Sequence, residues 1–421
     1  MNSLLKKYFS ISFSSHLLAI LNFVSFVAVC FISLTLDAIS PFNYINIILV
    51  AVFIGSSLIY MCLNKIVPKI GVFAICVSLI LLCMLTSYFA NGFNGFPRTP
   101  VLMCLLSIFS YIWFSANKRY IQIYLVGFLV ASWLFLLFFT AVEFKTIIHP
   151  NLSNRIGTYF GNQNDVARHI MFVFLINCYY IYAFKRKVLI ITSVAISFLS
   201  SYYLILTGSI SNILLLFIIA ICFLIAVSKK KARPFIIIAF SIIIIIIVVL
   251  LFTISALSPI KNRVLSILSS LFGVGDYRID SSTIGRFSAA IYGFRLFAES
   301  PLFGNGYNSV VNNYKIMAHN NIAEIGADYG IIALIAEEIL VLFPFIQLKK
   351  TAKKARAFVI LFSSYLFLIQ FFLVIFNSKI ESILIPLIIV ISGEKGFFLS
   401  IHGKTKKIIK KPKETFYEVI C

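Results

Sequence analysis

The sequence predicts an all-α polytopic membrane protein with about 12 transmembrane helices and a large outer loop that contains short helices. Three observations support this fold class: 61% of the 421 residues are hydrophobic, only 12% are charged, and the apolar residues fall in long uninterrupted runs. Roughly twenty apolar residues in a helix cross the hydrocarbon layer of a bilayer. A soluble domain has no core large enough to bury so much apolar surface.

Twelve apolar runs are long enough to cross a bilayer, although Glu394 and Lys395 shorten the last one. They cover approximately residues 17–36, 44–63, 70–90, 99–116, 120–142, 166–184, 188–206, 210–227, 235–256, 330–347, 357–376 and 382–400.

The distribution of Lys and Arg predicts the orientation of these spans. With the N-terminus in the cytoplasm, the cytoplasmic segments hold 25 of the 36 basic residues. The positive-inside rule therefore places both termini in the cytoplasm. The net charge of +22 is explained by the basic residues of the cytoplasmic segments. We therefore expect the lipid bilayer as a partner and no nucleic acid.

The same topology divides the chain into four parts. Residues 1–256 contain the first nine transmembrane helices and an outer loop at 143–165, and residues 257–329 form the large outer loop. Residues 330–400 contain the last three transmembrane helices, and residues 401–421 form a basic cytoplasmic tail.

Residues 285–300 of the large loop have the spacing of an amphipathic helix. Pro301 and the glycines at 304 and 306 predict a turn at residues 301–306 that ends this helix. Arg286 and Arg295 flank its apolar stripe on opposite sides. The stripe consists of Phe287, Ile291, Phe294 and Ala298. One interpretation is a helix in the plane of the lipid headgroups, where guanidinium groups reach phosphate; the other is a helix packed on the bundle with two solvated arginines.

His319 lies just ahead of a predicted helix start. Asn321 and Glu324 have the spacing of a capping box, which predicts a helix that begins near residue 321 and continues into the tenth span. The field of a helix N-terminus favours phosphate and disfavours a protonated imidazole. We therefore interpret His319 as either a neutral proton acceptor or a residue that only decorates the cap.

Two stretches of the chain together resemble one family. They are residues 155–170, with Arg-x-x-Gly and Gly-Asn-x-Asn, and residues 285–334, with Gly-Arg, Pro-Leu-Phe-Gly-x-Gly and His-Asn followed by a Gly-rich return to the membrane. In this order the motifs resemble the O-antigen ligase and O-antigen polymerase superfamily of bacterial envelope glycosyltransferases. The resemblance implies a GT-C-like membrane fold that acts on undecaprenyl-diphosphate-linked glycans at the outer face of the bacterial cytoplasmic membrane.

The resemblance also implies which residues act. Carried over to this sequence, the functional arginines and histidine are Arg155, Arg286 and His319, with Arg295 a weaker candidate for substrate binding. Arginine suits a diphosphate, because its charge is permanent and its fork binds phosphate bidentately. A neutral histidine suits the removal of a proton from the acceptor hydroxyl. The outer loops contain no metal-binding motif, so we expect no metal and no cofactor.

One family arginine is missing. Many members have Thr-x-Ser-Arg at the position of residues 207–210, and in this chain Ile210 stands in the place of the arginine. Arg168 is a candidate substitute for that arginine; the alternative is that Arg168 is a snorkelling charge near the outer interface. Asn162, Asn164 and Asn320 have amides that match sugar hydroxyls. The first two are equally well explained as turn and cap residues.

Glu337 and Glu338 are unusual in falling near the middle of the tenth span. A carboxylate at this depth is costly unless it faces the bundle. The pair forms either a wall of the channel for a lipid-linked substrate or a buried contact that holds helices in register.

The predicted function is the polymerisation of undecaprenyl-diphosphate-linked repeat units of lipopolysaccharide O-antigen or capsule, with a chain-length regulator as a potential partner. The first alternative is an O-antigen ligase, which transfers finished polymer to lipid A-core or another acceptor. A lower alternative is a lipid-linked glycan flippase or transporter, which would show paired broken helices in its two halves.

Overall fold

The computed structural model describes residues 2–35, 40–65, 71–93, 95–148, 156–157, 160, 163–183, 186–253, 261–262, 265, 281–371 and 378–393. Within these ranges the regular structure is helical and no strand is present.

Fifteen α-helices are named here in chain order within the described ranges. They are α1 (Asn2–Thr35), α2 (Ser40–Leu63), α3 (Val72–Ala90), α4 (Arg98–Ala116), α5 (Ile121–Val142), α6 (Phe144–Ile148), α7 (Gln163–Ala183), α8 (Lys187–Leu206), α9 (Ile210–Val227), α10 (Arg233–Thr253), α11 (Ser281–Glu299), α12 (Ser309–Tyr314), α13 (Asn321–Gln347), α14 (Lys353–Ile369) and α15 (Lys379–Ser392).

Nine of the described helices are long and apolar enough to cross a membrane: α1 to α5, α7 to α9, and α13. They coincide with nine of the predicted spans, which confirms an all-α polytopic membrane protein. The other three predicted spans coincide with α10, α14 and α15, of which α15 has only 14 residues. The count of twelve therefore stays a prediction. Helices α11 and α12 confirm that the predicted large loop contains short helices.

Helix α13 folds back on itself at Gly330. Its backbone there has φ 81° and ψ −176°, which is not helical. Asn321 Nδ2 donates a hydrogen bond of 2.7 Å to Glu337 Oε1, although 16 residues separate the two. A continuous helix would place them about 24 Å apart. The chain therefore reverses at Gly330, and the prediction of one helix running from residue 321 through the tenth span is wrong in this respect.

The reversal divides α13 into a short arm, residues 321–329, and a long arm, residues 331–347. The turn between them is closed by the segment that starts at Pro301. Pro301 O accepts from Ile331 N at 2.8 Å, and Asn305 N donates to Ala327 O at 2.7 Å. Backbone groups that a continuous helix would pair internally are thus paired with this segment. The predicted turn at residues 301–306 is present and serves the hairpin.

Helix α11 runs parallel to the short arm. A Cβ atom at Gly293 would lie 2.9 Å from Ala323 Cβ, and one at Gly326 would lie 3.0 Å from the Phe297 ring. Later residues of α11 thus face later residues of the short arm. Because the short arm lies against a membrane-spanning long arm, α11 extends along the bundle and does not lie flat across its end.

The face of α11 that packs on the bundle is not its predicted apolar stripe. Ala289, Gly293 and Leu296 are buried, whereas Phe287, Ile291 and Phe294 are exposed. Helix α11 therefore packs on the bundle through small residues, but of the two arginines expected to be solvated only Arg295 is exposed, whereas Arg286 is half-buried. The large apolar side chains face outward, where a bilayer would cover them.

Candidate functional site

His319 lies at the entrance to the short arm. Its backbone is left-handed, with φ 50°, and its side chain is half-buried. The next residue, Asn320, is the N-cap, and its Oδ1 accepts from Ala323 N at 2.9 Å. The predicted helix start is confirmed, but the predicted capping box is wrong by one residue. Asn321 is the first helical residue, and its side chain donates to Glu337.

The hairpin brings His319 back from the turn to the level of the buried Asn321–Glu337 hydrogen bond. Asn321 is level with Glu337, and Glu337 lies seven residues beyond the turn at Gly330. Seven helical residues span about 10 Å. His319, two residues before Asn321, therefore lies roughly 10 Å from the turn, and its side chain is half-buried.

Two charges of opposite sign act on the His319 imidazole. Burial lowers the pKa of His319, the positive charge of Arg286 lowers this pKa further, and the negative charge of Asp165 raises it. The net effect is a lowered pKa, so the imidazole is neutral near pH 7. The sequence predicted a neutral histidine because of the helix N-terminus, but the main cause in the structure is burial. Arg286 and His319, predicted from separate motifs, are brought together.

Arg168 connects this cluster to a buried acid. Its guanidinium lies 3.7 Å from Asp165 Oδ1 and 3.8 Å from Glu381 Oε1. Glu381 is 2% exposed, and it also accepts from the Tyr365 hydroxyl at 2.6 Å and from Ser378 Oγ. The Arg168 side chain is only 11% exposed. Arg168 is therefore not a solvated charge; it joins α7 to Glu381 at the start of α15, which Tyr365 of α14 also contacts.

Asp165 and Glu381 were not predicted as site residues from the sequence. Glu381 does carry a signal: it is a lone acid at the start of an apolar run, and Arg168 is a lone base at the start of another. Buried ions of this kind require a partner of opposite charge. The pairing itself depends on the tertiary structure, which brings the start of α7 to the start of α15 and which the sequence does not specify.

Asn164 joins the start of α7 to the start of α9. Its Oδ1 accepts from Ser209 Oγ at 2.9 Å, and its carbonyl accepts from Asn212 Nδ2 at 3.3 Å. Arg168 lies one turn further along the same face of α7. This face of α7, which also carries Arg168, therefore meets the start of α9. Ile210, at the start of α9, stands in the place of the family arginine.

Arg295 is not part of the cluster. It is nine residues from Arg286, which corresponds to about 13 Å along the helix and the opposite side of it. Its side chain is 69% exposed and lies 3.6 Å from Glu299. Arg155 and Asn162 lie outside the described residues. Among the residues that the structure does describe, no group of three or more His, Cys, Asp or Glu side chains could hold a metal ion.

A family model described as O-antigen ligase matches residues 195–336 of the chain. The matched segment runs from α8 to the long arm of α13 and contains Arg286 and His319. No curated protein matches the sequence. The family has ligase- and polymerase-type glycosyltransferase activity. Residues 195–336 are therefore similar to the O-antigen ligase family, which confirms the resemblance of the chain to the O-antigen ligase and polymerase superfamily.

Proposed function

We propose that this protein polymerises undecaprenyl-diphosphate-linked oligosaccharide repeat units, of O-antigen or capsule type, at the outer face of the bacterial cytoplasmic membrane. The observation that carries the proposal is the electrostatic effect of Arg286 on the half-buried His319, both within the segment that matches the family. The outer location rests on the distribution of Lys and Arg along the chain.

The reaction transfers a glycosyl group from one lipid diphosphate to the hydroxyl group of an acceptor glycan. The acceptor oxygen bonds to the anomeric carbon of the donor, and the bond from that carbon to the diphosphate oxygen breaks. Undecaprenyl diphosphate leaves with the electron pair of the broken bond. The acceptor hydroxyl loses its proton in the same process.

In this proposal Arg286 stabilises the negative charge that develops on the leaving diphosphate, and Arg155 assists it. Arginine stays charged through the reaction, and its effect on the transition state is larger where water is excluded. His319 takes the proton from the acceptor hydroxyl. Because its pKa is lowered by burial and by Arg286, the imidazole is deprotonated and ready to act near pH 7.

Arg168 is the proposed third cation for the lipid-linked glycan. It is close to Asp165, whose charge also acts on His319. Its position beside the start of α9 supports the hypothesis that it compensates for the arginine missing at Ile210. Asn164 is hydrogen-bonded to Ser209 and Asn212 of the protein itself, which favours the turn and cap interpretation for Asn164. The Asn320 side chain caps the short arm.

The test is a pair of arginine variants together with His319→Ala, each expressed in a strain from which the gene has been deleted. We expect His319→Ala to abolish polymer at normal membrane abundance. Arg286→Lys should reduce polymer strongly, because lysine lacks the bidentate fork. The matched control Arg295→Lys, on the same helix but outside the cluster, should leave polymer unchanged. Normal polymer in His319→Ala would remove this residue from the mechanism.

A ligase is the second candidate, favoured by the description of the matched family model. The glycans of the deletion strain separate the candidates. A polymerase defect leaves glycans with a single repeat unit, whereas a ligase defect leaves polymer on its lipid carrier. Accumulation of repeat units on the cytoplasmic side would instead indicate a flippase.

A further inference from the structure

Three buried polar residues meet at the base of the short arm. Asn321, Glu337 and Gln370 each have 0% exposure. Asn321 Nδ2 donates to Glu337 Oε1 at 2.7 Å and lies 3.5 Å from Gln370 Oε1. The backbone N–H of Asn321 donates to Gln370 O at 2.8 Å. The two arms of α13 and the C-terminal end of α14 are thus joined at one point.

The compensation of the buried Glu337 carboxyl group depends on Asn321. Oε2 of Glu337 has no hydrogen-bond partner among the described residues. Oε1 of Glu337 accepts a hydrogen bond from the Asn321 amide. A buried carboxyl group without a donor is costly, and an apolar side chain would fill the same space without this requirement.

This requirement sets the register of the short arm. A shift of the arm by one residue would move Asn321 about 1.5 Å along the axis and rotate it by about 100°. Such a shift would separate the amide from Glu337. Apolar packing between helices tolerates small displacements better than a directional hydrogen bond does. The Asn321–Glu337 pair therefore selects one height for the short arm.

The height of the short arm sets the position of His319. Only Asn320 separates His319 from Asn321, and the Asn320 side chain is itself bound to Ala323 N. The other end of the arm is held at the turn, where Asp328 O accepts from Ser87 Oγ at 2.6 Å. With both ends held, the imidazole has a defined position relative to Arg286 on the parallel helix α11.

We propose that Glu337 is a positioning residue that sets the height of the His319 loop by accepting a hydrogen bond from Asn321. The inference rests on the proposed function for the role of His319, but the geometry of the arm is independent of it. Glu337 does not touch the substrate in this proposal and acts only through the short arm.

The test uses hydrogen–deuterium exchange of the full-length protein in lipid nanodiscs, together with glycan gels from the complemented deletion strain. Asn321→Asp directs a carboxyl group against Glu337 and against Gln370 Oε1. We expect amide exchange in residues 316–329 to rise about tenfold or more, as for the loss of a buried hydrogen bond. Exchange elsewhere should stay unchanged, and polymer should be lost at normal abundance.

The decisive variant is the exchange of donor and acceptor. In Asn321→Asp with Glu337→Gln, the glutamine amide donates to the aspartate, so slow exchange and polymer should both return. A merely destabilised protein would not be rescued by a second substitution in its core. Asn177→Asp is the matched control, because Asn177 is a fully buried asparagine that contacts Trp133 on another part of the bundle. It should not raise exchange selectively in residues 316–329.

If Asn321→Asp does not accumulate, Glu337→Met removes the acceptor at similar volume and must show the same selective rise in exchange. The proposal is overturned by unchanged exchange in residues 316–329, by a double variant no better than Asn321→Asp, or by selective opening with normal polymer. By contrast, normal polymer in His319→Ala would contradict the proposed function while leaving the exchange results for Asn321 and Glu337 intact.

Discussion

The reversal of α13 at Gly330 leads to a quantitative prediction for Gly330→Ala. The backbone at this position, with φ 81° and ψ −176°, occupies a region that is accessible essentially to glycine alone. A Cβ atom would also lie 2.2 Å from Leu302 O and 2.5 Å from Leu302 C. These are backbone atoms of the segment that closes the turn, so they cannot move aside as a flexible side chain would.

The magnitude follows from these two effects. The disfavoured backbone conformation costs about 1–3 kcal/mol for a non-glycine residue. Displacement of the Leu302 carbonyl weakens the neighbouring hydrogen bond from Ile331 N to Pro301 O, 2.8 Å long, at a further cost of about 1 kcal/mol. We expect a loss of about 2–4 kcal/mol in the free energy of unfolding, a large part of the stability of a typical domain.

Two other glycines separate the contributions. Gly92 has φ 66° but open space around a Cβ atom, so Gly92→Ala should cost only about 1–2 kcal/mol. Gly55 is helical with nothing within 4 Å, so Gly55→Ala should be neutral or stabilising by up to about 1 kcal/mol. Thermal unfolding of each detergent-purified variant by size-exclusion chromatography gives the order. If Gly330→Ala unfolds at the same temperature as Gly92→Ala, the hairpin geometry is wrong.

Two further predictions concern the charges around His319. Because burial and Arg286 lower the pKa of His319, transfer should persist below pH 6.5, the ordinary pKa of histidine, and then fall as the imidazole is protonated. Arg286→Gln should raise the pKa of His319 and move the acid limb of the normalised rate–pH profile to higher pH, whereas Asp165→Asn should lower this pKa and move the acid limb to lower pH. Shifts of the acid limb in the same direction for both variants would contradict the assignment. Glu381→Gln removes one partner of a buried arginine and should lower stability by up to about 3 kcal/mol, since Asp165 remains 3.7 Å from Arg168. The double variant Arg168→Met with Glu381→Leu should recover membrane abundance without recovering transfer, and recovery of both would show that Arg168 is only structural.

The membrane-spanning helices could be predicted from sequence because their signal is local. A run of about twenty apolar residues has one stable solution in a bilayer, a helix whose backbone groups are all paired internally. The start of α13 near residue 321 was predictable for the same reason, because a cap is made by neighbouring residues. Its exact register was not, since Asn320 and Asn321 are both good caps. The choice between them depends on Glu337, which pairs with Asn321 from the other arm.

The pairing of charges could be predicted only in part. Arg286 and His319 were identified by family motifs, and the structure places them within reach of each other's charge. Arg295, on the same helix, was equally basic in sequence but lies on the opposite side and pairs with Glu299. The pairing of Arg168 with Glu381 could not be predicted, because Glu381 is more than two hundred residues away along the chain.

The sequence by itself determined the fold class, nine of the apolar spans and the residue types capable of glycosyl transfer. These properties depend on hydrophobicity over one helix length and on the chemistry of single side chains. Only the tertiary structure decided that the chain reverses at Gly330, and hence that His319 lies next to the buried Asn321–Glu337 pair. The physical reason is that the reversal is stabilised by groups distant in sequence. Backbone groups at the turn form hydrogen bonds with the segment that starts at Pro301, and the Asn321 side chain donates a hydrogen bond to Glu337. In a straight helix neither set of groups could form these hydrogen bonds.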